Sequence, residues 1–227
     1  MSSNTMQPEE KGSVRNFILL ASIGILSLVI GIWASQKLLV TNNDTRIPAN
    51  LDATVLPHAR PLTGFSLLDK NNQPFTPQQL NGHWSFLFFG FTNCPDVCPT
   101  TLKVMQAVWA TLPTKKGEPG HPQLYFVSVD PDRDNSQNLK PYVEFFNPEF
   151  NAVTGKLNEI DKLTNQIGIL YGYDEKDGDK DKDYIVNHSA QIILVDPKGR
   201  MRAVISPPHI AKTIAANFQT IQTFYGD

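Results

Sequence analysis

The chain's only two cysteines, Cys94 and Cys98, lie four positions apart in "FTNCPDVCPT", each followed by a proline. Thiols so spaced have three uses. An oxidised pair staples a loop, a cycling pair exchanges electrons, and a pair of thiolates holds a soft metal such as Cu(I) or zinc. A staple is the weakest reading, because disulfide scaffolds are short and cysteine-rich whereas this chain has 227 residues and one possible bridge. Pro95 and Pro99 hold φ at about −65° and remove N–H donors, stiffening the loop that presents the sulfurs.

A third donor would separate electron exchange from metal binding. Of the five histidines, His58 lies at the edge of a polar stretch, His83 in the "NGHW" turn, His121 in a Gly/Pro loop and His209 in the first turn of the last expected helix. All four read as surface residues. His188 differs, since "YIVNHSAQIILVD" sets it two residues before a buried strand. A histidine there caps the strand and bonds backbone, or it meets the two sulfurs, because imidazole and thiolate both suit copper. The scattered methionines form no copper-handling tract, and Met105 reads as core.

The elements that would position these donors follow from periodicity. "WSFLFFGF" (84–91) is continuously apolar, as in a central strand buried on both faces, and the cysteines follow at once. Pro99 suits the first turn of a helix running to about Leu112, with Leu102, Met105 and Trp109 on one stripe, so Cys98 stands at a helix N-terminus. Unpaired N–H groups and the helix dipole there favour thiolate over the free thiol, whose pKa is about 8.5. "QLYFVSVD" (123–130) reads as a second buried strand, and Ser136–Phe146 and Leu157–Leu170 read as helices. "AQIILVD" and "MRAVIS" form a hairpin about "PKGR", a helix from Pro208 closes the chain, and "GFSLLDKNNQPFT" suggests an N-terminal hairpin. This order predicts an α/β thioredoxin-like sandwich with an N-terminal hairpin extension. Asp130, Asp132 and Asp134 in "VSVDPDRD" read first as turn and helix-capping residues and second as groups supporting the site.

Bulk properties narrow the function. A net charge of −2 without a basic cluster leaves no footprint for nucleic acid. The biased segment "DEKDGDKDKD" (174–183) lacks EF-hand spacing, because Asp179 falls sixth from Asp174 and His188 twelfth from Asp177. Phe17 to Ala34 is uncharged and close to the about 20 residues of a bilayer-spanning helix. It exceeds the roughly 7–15 apolar residues of a signal-peptide core and lacks a good cleavage site, so an uncleaved anchor is expected. The organisation expected is a cytoplasmic tail 1–16, a transmembrane anchor 17–35, a tether 36–59 and a folded domain 60–227. Charge does not orient the anchor, since Lys11 and Arg15 on one flank balance Lys37 and Arg46 on the other.

From about 58 to 222 the chain resembles the SCO/SenC copper chaperones, through "ARPLTGFSLLD", "FFGFTNCPDVCPTTL", "VSVDPDRD", "YVEFFNPEF", "VTGKLNEI" and "VNHSAQIILVDPKGR" in family order. The resemblance implies a thioredoxin fold on one N-terminal membrane helix, with copper, Cu(I) or Cu(II), held by Cys94, Cys98 and His188. It implies assistance to the dinuclear copper site of cytochrome c oxidase, with the copper-bearing oxidase subunit and other copper chaperones or thiol reductants as partners. It also places the domain in the bacterial periplasm or the mitochondrial intermembrane space; the segment before the anchor, with Glu9 and Glu10, lacks transit-segment character and favours a bacterial inner membrane, with a mitochondrial inner membrane as the alternative. Asn187 departs from the family, which commonly has Asp before the ligand histidine. Thiol–disulfide exchange by Cys94 and Cys98 as a redox-active pair is the rival reading, though three residues separate the cysteines where thioredoxin has two. A peroxidase is disfavoured because Pro95 stands where that chemistry wants a threonine.

Overall fold

The computed structural model describes residues 11–39, 51–174 and 184–226; within 11–39, side chains are described only between Ile18 and Trp33. The chain divides into two units, Met1–Ile47 and Pro48–Asp227. The first contains helix α1 (Lys11–Leu39), whose described large apolar side chains, from Ile18 to Trp33, are all exposed. Among the described residues no helix is long and apolar enough to cross a membrane. The side chains described in α1 stop short of the about 20 a span needs.

The second unit is built on the predicted central strand. In β4 (Ser85–Gly90) every residue is buried, with Phe86 and Phe88 in the core on one face and Leu87 and Phe89 in the core on the other. Alternation of side chains on a strand divides the aromatic run between two cores. β5 (Gln123–Ser128) lies parallel to β4, and β6 (Asn151–Thr154) parallel to β5. On the other side β9 (Ile192–Val195) runs antiparallel to β4, followed by β10 (Arg200–Ile205) and by β1 (Thr54–Pro61) at the edge. The short hairpin β2 (Leu67–Asp69) and β3 (Pro74–Phe75) closes the opposite edge through β2 and β6. One core is filled by α2 (Val97–Thr111), α3 (Ser136–Phe146) and α5 (Ala211–Tyr225), and the other takes α4 (Leu157–Ile167). This is the expected α/β sandwich with its N-terminal hairpin.

Several expectations are corrected. Residues 54–59, read as the end of the tether, belong to strand β1, which pairs with β10 and has a register shift between Val55 and Arg60. Its residues are mostly exposed, so it lacks the apolar signal of an inner strand. Strand β6, between α3 and α4, was not expected. α4 ends at Ile167 because Gly168 adopts a left-handed φ of 75°, and Leu170 is exposed. α5 starts at Ala211, after Pro208, with Ile210 as its cap. A separate two-stranded sheet, β7 (Tyr171–Asp174) and β8 (Ile185–His188), was also not expected. The acidic segment beyond Asp174 lies outside the described residues.

Candidate metal centre

The first turn beyond β4 carries Cys94, whose N–H donates to Phe91 O at 3.2 Å. Cys98 is the second residue of α2 and fully buried, while Cys94 is half-buried. The Cys98 N–H points at Cys94 Sγ, 3.4 Å away, so a free helix-start donor serves the first sulfur. The loop is pinned from below by Asp134, which accepts hydrogen bonds from the Thr92 N–H at 2.9 Å, from the Thr92 hydroxyl, and from Ser128 Oγ at 2.6 Å. Burial pushes the Asp134 carboxyl upward, and the hydrogen bonds from Ser128 and Thr92 oppose that shift.

His188 ends β8 and turns its ring into the same space. Its Nδ1 lies 3.2 Å from Ser189 O, a contact only an N–H satisfies, and its Nε2 stands 3.3 Å from Cys98 Sγ. The rings of Phe88 and Phe91 stand edge-on to the imidazole at 6.4 and 6.0 Å between centroids. The donor atoms of Cys94, Cys98 and His188 all lie within 4.8 Å of one another, the one such group of His, Cys, Asp or Glu among the described residues.

The two thiols share protons unequally. A hydrogen bond from Cys98, against an opposing cost of burial, pulls the Cys94 thiol down to about 3; His188 and the N–H groups of Cys98 and Asp96 add to the effect. The same hydrogen bond, then burial, pushes Cys98 well above the ordinary thiol range. The pair therefore holds one thiolate, on the more exposed sulfur, with Cys98 as its donor. Alkylation by iodoacetamide tests this. One thiol per chain, Cys94, is expected to react at a rate flat from pH 8 to pH 5 and to slow only as pH falls towards 3, whereas a free cysteine slows about tenfold per unit below about 8.5. A steady fall below pH 8 would contradict the assignment.

The SCO1/SenC family model matches residues 56–223, well over half of the chain. The chain belongs to the SCO1/SenC family. Within it, the SCO2-like protein of Rickettsia prowazekii is 34% identical over 179 residues, which cover 78% of this chain and 84% of that one. The crystal structure of Arabidopsis thaliana ScoI with copper bound shares 30% identity at a TM-score of 0.63 and covers 71% of this chain and 99% of its own. The structure of Bradyrhizobium japonicum ScoI with copper bound shares 31% at a TM-score of 0.60, covering 70% and 98%.

Around this cluster the remaining candidates separate. His58 is exposed, as expected. His83, His121 and His209 are only half-exposed and stand apart from the cysteines. His121 Nε2 pairs with Glu149 at 2.9 Å and its Nδ1 faces Thr114 O at 2.8 Å, whereas His209 Nε2 meets Ala190 O at 2.7 Å. His209 also precedes α5 and does not lie in its first turn. Asn187 is exposed and donates to Asp174 Oδ2 at 2.8 Å. Asp132 is exposed, and the cap of α3 is Asn135, so the expected capping role falls on neither Asp130 nor Asp134. Sequence reasoning missed Gly90, where a Cβ would overlap Cys98 Sγ and approach the Phe126 ring at 2.9 Å. A glycine inside a buried aromatic strand was the available signal.

Proposed function

We propose that this protein is a membrane-anchored copper chaperone that carries one copper on Cys94, Cys98 and His188 and helps assemble the dinuclear copper site of cytochrome c oxidase. The observation that carries the reading is the convergence of two sulfurs and one imidazole nitrogen within 4.8 Å. Two soft thiolates and a nitrogen suit copper, and the copper-bound ScoI relatives have the same fold at 30% and 31% identity. One thiolate is preformed; metal entry displaces the Cys98 proton, so uptake releases acid. The half-exposed Cys94 gives a recipient thiolate access, and ligand exchange then moves copper without a net redox change.

The anchor is residues 17–35, preceded by a cytoplasmic tail 1–16 and followed by a polar tether from residue 36. The exposed apolar side chains of α1 support that role. The domain faces the bacterial periplasm; Glu9 and Glu10 in the tail count against a mitochondrial transit segment. Partners are the copper-bearing oxidase subunit, other copper chaperones or thiol reductants, and the membrane.

A second reading is favoured by the unequal pair. Cys94 thiolate attacks a disulfide in the oxidase subunit and expels one target thiolate; Cys98 then loses its proton to that thiolate and attacks Cys94, releasing the reduced dithiol and leaving a Cys94–Cys98 disulfide. An external dithiol reductant resets it. Mixing the copper-loaded full chain with the reduced, metal-free copper-bearing domain of the oxidase separates the two. The chaperone reading expects copper to appear on the recipient; retention of all copper, with rapid reduction of an oxidised recipient, would leave the oxidoreductase.

A further inference from the structure

Strand β8 brings His188 to the cysteines, yet it shares no ladder with the main sheet. It is held there by side chains. Tyr184, immediately before β8, donates its hydroxyl to Asp130 Oδ1 at 2.5 Å. Arg133 donates through Nε to Asp130 Oδ2 at 2.5 Å and through Nη1 to the Tyr184 carbonyl at 3.0 Å. The guanidinium lies 3.7 Å from the centre of the Tyr184 ring and 5.4 Å from that of Phe91. Phe91 in turn stands edge-on to His188.

We propose that Arg133, braced by Asp130, is the positioning residue for His188, clamping the start of β8 through Tyr184 and backing the imidazole through Phe91. The proposal rests on His188 being a copper ligand. Asp130 is fully buried and the Arg133 side chain is 15% exposed, unlike the solvated ion pairs that contribute little. Burying two charges is costly, and a turn between a strand and α3 needs neither of them. The local turn is already closed by the Arg133 and Asp134 N–H groups on Asp130 O, and the helix cap is Asn135. The carboxylate is thus left to bind Arg133 and Tyr184. A planar fork that donates on two sides and stacks on two rings is what arginine supplies and lysine does not.

The test uses the full chain in detergent micelles, with histidine and phenylalanine labelled, and compares wild type, Arg133→Met, Arg133→Lys and Tyr184→Phe. In the metal-free protein, the nuclear Overhauser contact between the His188 and Phe91 rings is read beside amide exchange in β4 and β5. With copper added, affinity and nitrogen hyperfine coupling are read. Arg133→Met is expected to lose the ring contact and the nitrogen coupling and to weaken copper binding roughly 10–100-fold, as for other residues that orient metal ligands, with core exchange unchanged. Arg133→Lys is expected to recover only part. If Arg133→Met does not fold, Tyr184→Phe decides through the same readouts, with a smaller loss in the same direction. Retained ring contact, coupling and affinity within twofold would overturn the clamp. Wild-type copper without nitrogen coupling would remove His188 as a ligand, and the metal-free contact would then decide the clamp by itself.

Discussion

Replacing Cys98 by serine is expected to lower copper affinity on the order of a thousandfold. Its Sγ is buried, 3.3 Å from His188 Nε2, and it belongs to the one three-donor cluster among the described residues. A thiolate-rich metal site binds with about 10–16 kcal/mol in structural zinc domains. Removing one of three ligands takes about 4 kcal/mol from such a total, and each factor of ten is about 1.4 kcal/mol. The serine hydroxyl is a hard donor and remains protonated, so it does not replace the sulfur. The hydroxyl still donates a hydrogen bond to the Cys94 thiolate, so Cys94 alkylation is expected to stay flat down to about pH 5. Competition titration with a Cu(I) chelator checks the first expectation and the pH profile of Cys94 alkylation the second. Affinity within tenfold of wild type would remove Cys98 from the ligand set.

Gly90→Ala is expected to damage the site without touching any donor. The added Cβ would collide with Cys98 Sγ and lie 2.9 Å from Phe126 Cε2 and 3.2 Å from its Cζ. Gly90 has no positive φ, so the requirement is one of space and not of backbone freedom. Both neighbours are fully buried, which leaves the sulfur or the ring to move. Overpacking of this kind costs about 1–3 kcal/mol. Thermal unfolding is expected to show that loss, and copper titration a fall of at least tenfold, because the sulfur is pushed off the line to His188. An alanine variant with unchanged melting and unchanged copper binding would show that the strand gives way harmlessly.

Much of the site was legible because its chemistry is concentrated in rare residue types. Two cysteines beside a buried aromatic strand and a histidine before another strand suffice to nominate Cys94, Cys98 and His188, which the fold brings together. The inner strands were legible for the same reason that they are inner. Burial on two faces demands unbroken apolar runs, as in "SFLFFG". Edge and satellite strands lack that demand. β1 pairs on one side only and tolerates Pro57 and Pro61, and β6 contributes only Ala152 and Val153 as apolar residues among its four. The β7–β8 sheet is held by the Tyr184–Asp130 and Arg133–Tyr184 contacts across 54 and 51 residues of sequence, which periodicity does not register. His121 read as surface because its partner Glu149 is distant in sequence, and Arg133 drew no reading because Tyr184 is.

The most direct test of the copper centre is X-ray absorption on the copper-loaded full chain beside His188→Ala. The wild type is expected to show one copper per chain with two sulfur scatterers and one imidazole nitrogen, and the variant to keep the sulfurs and lose the nitrogen. Identical spectra for the two proteins, or a wild type that binds no copper while cycling a Cys94–Cys98 disulfide, would contradict it.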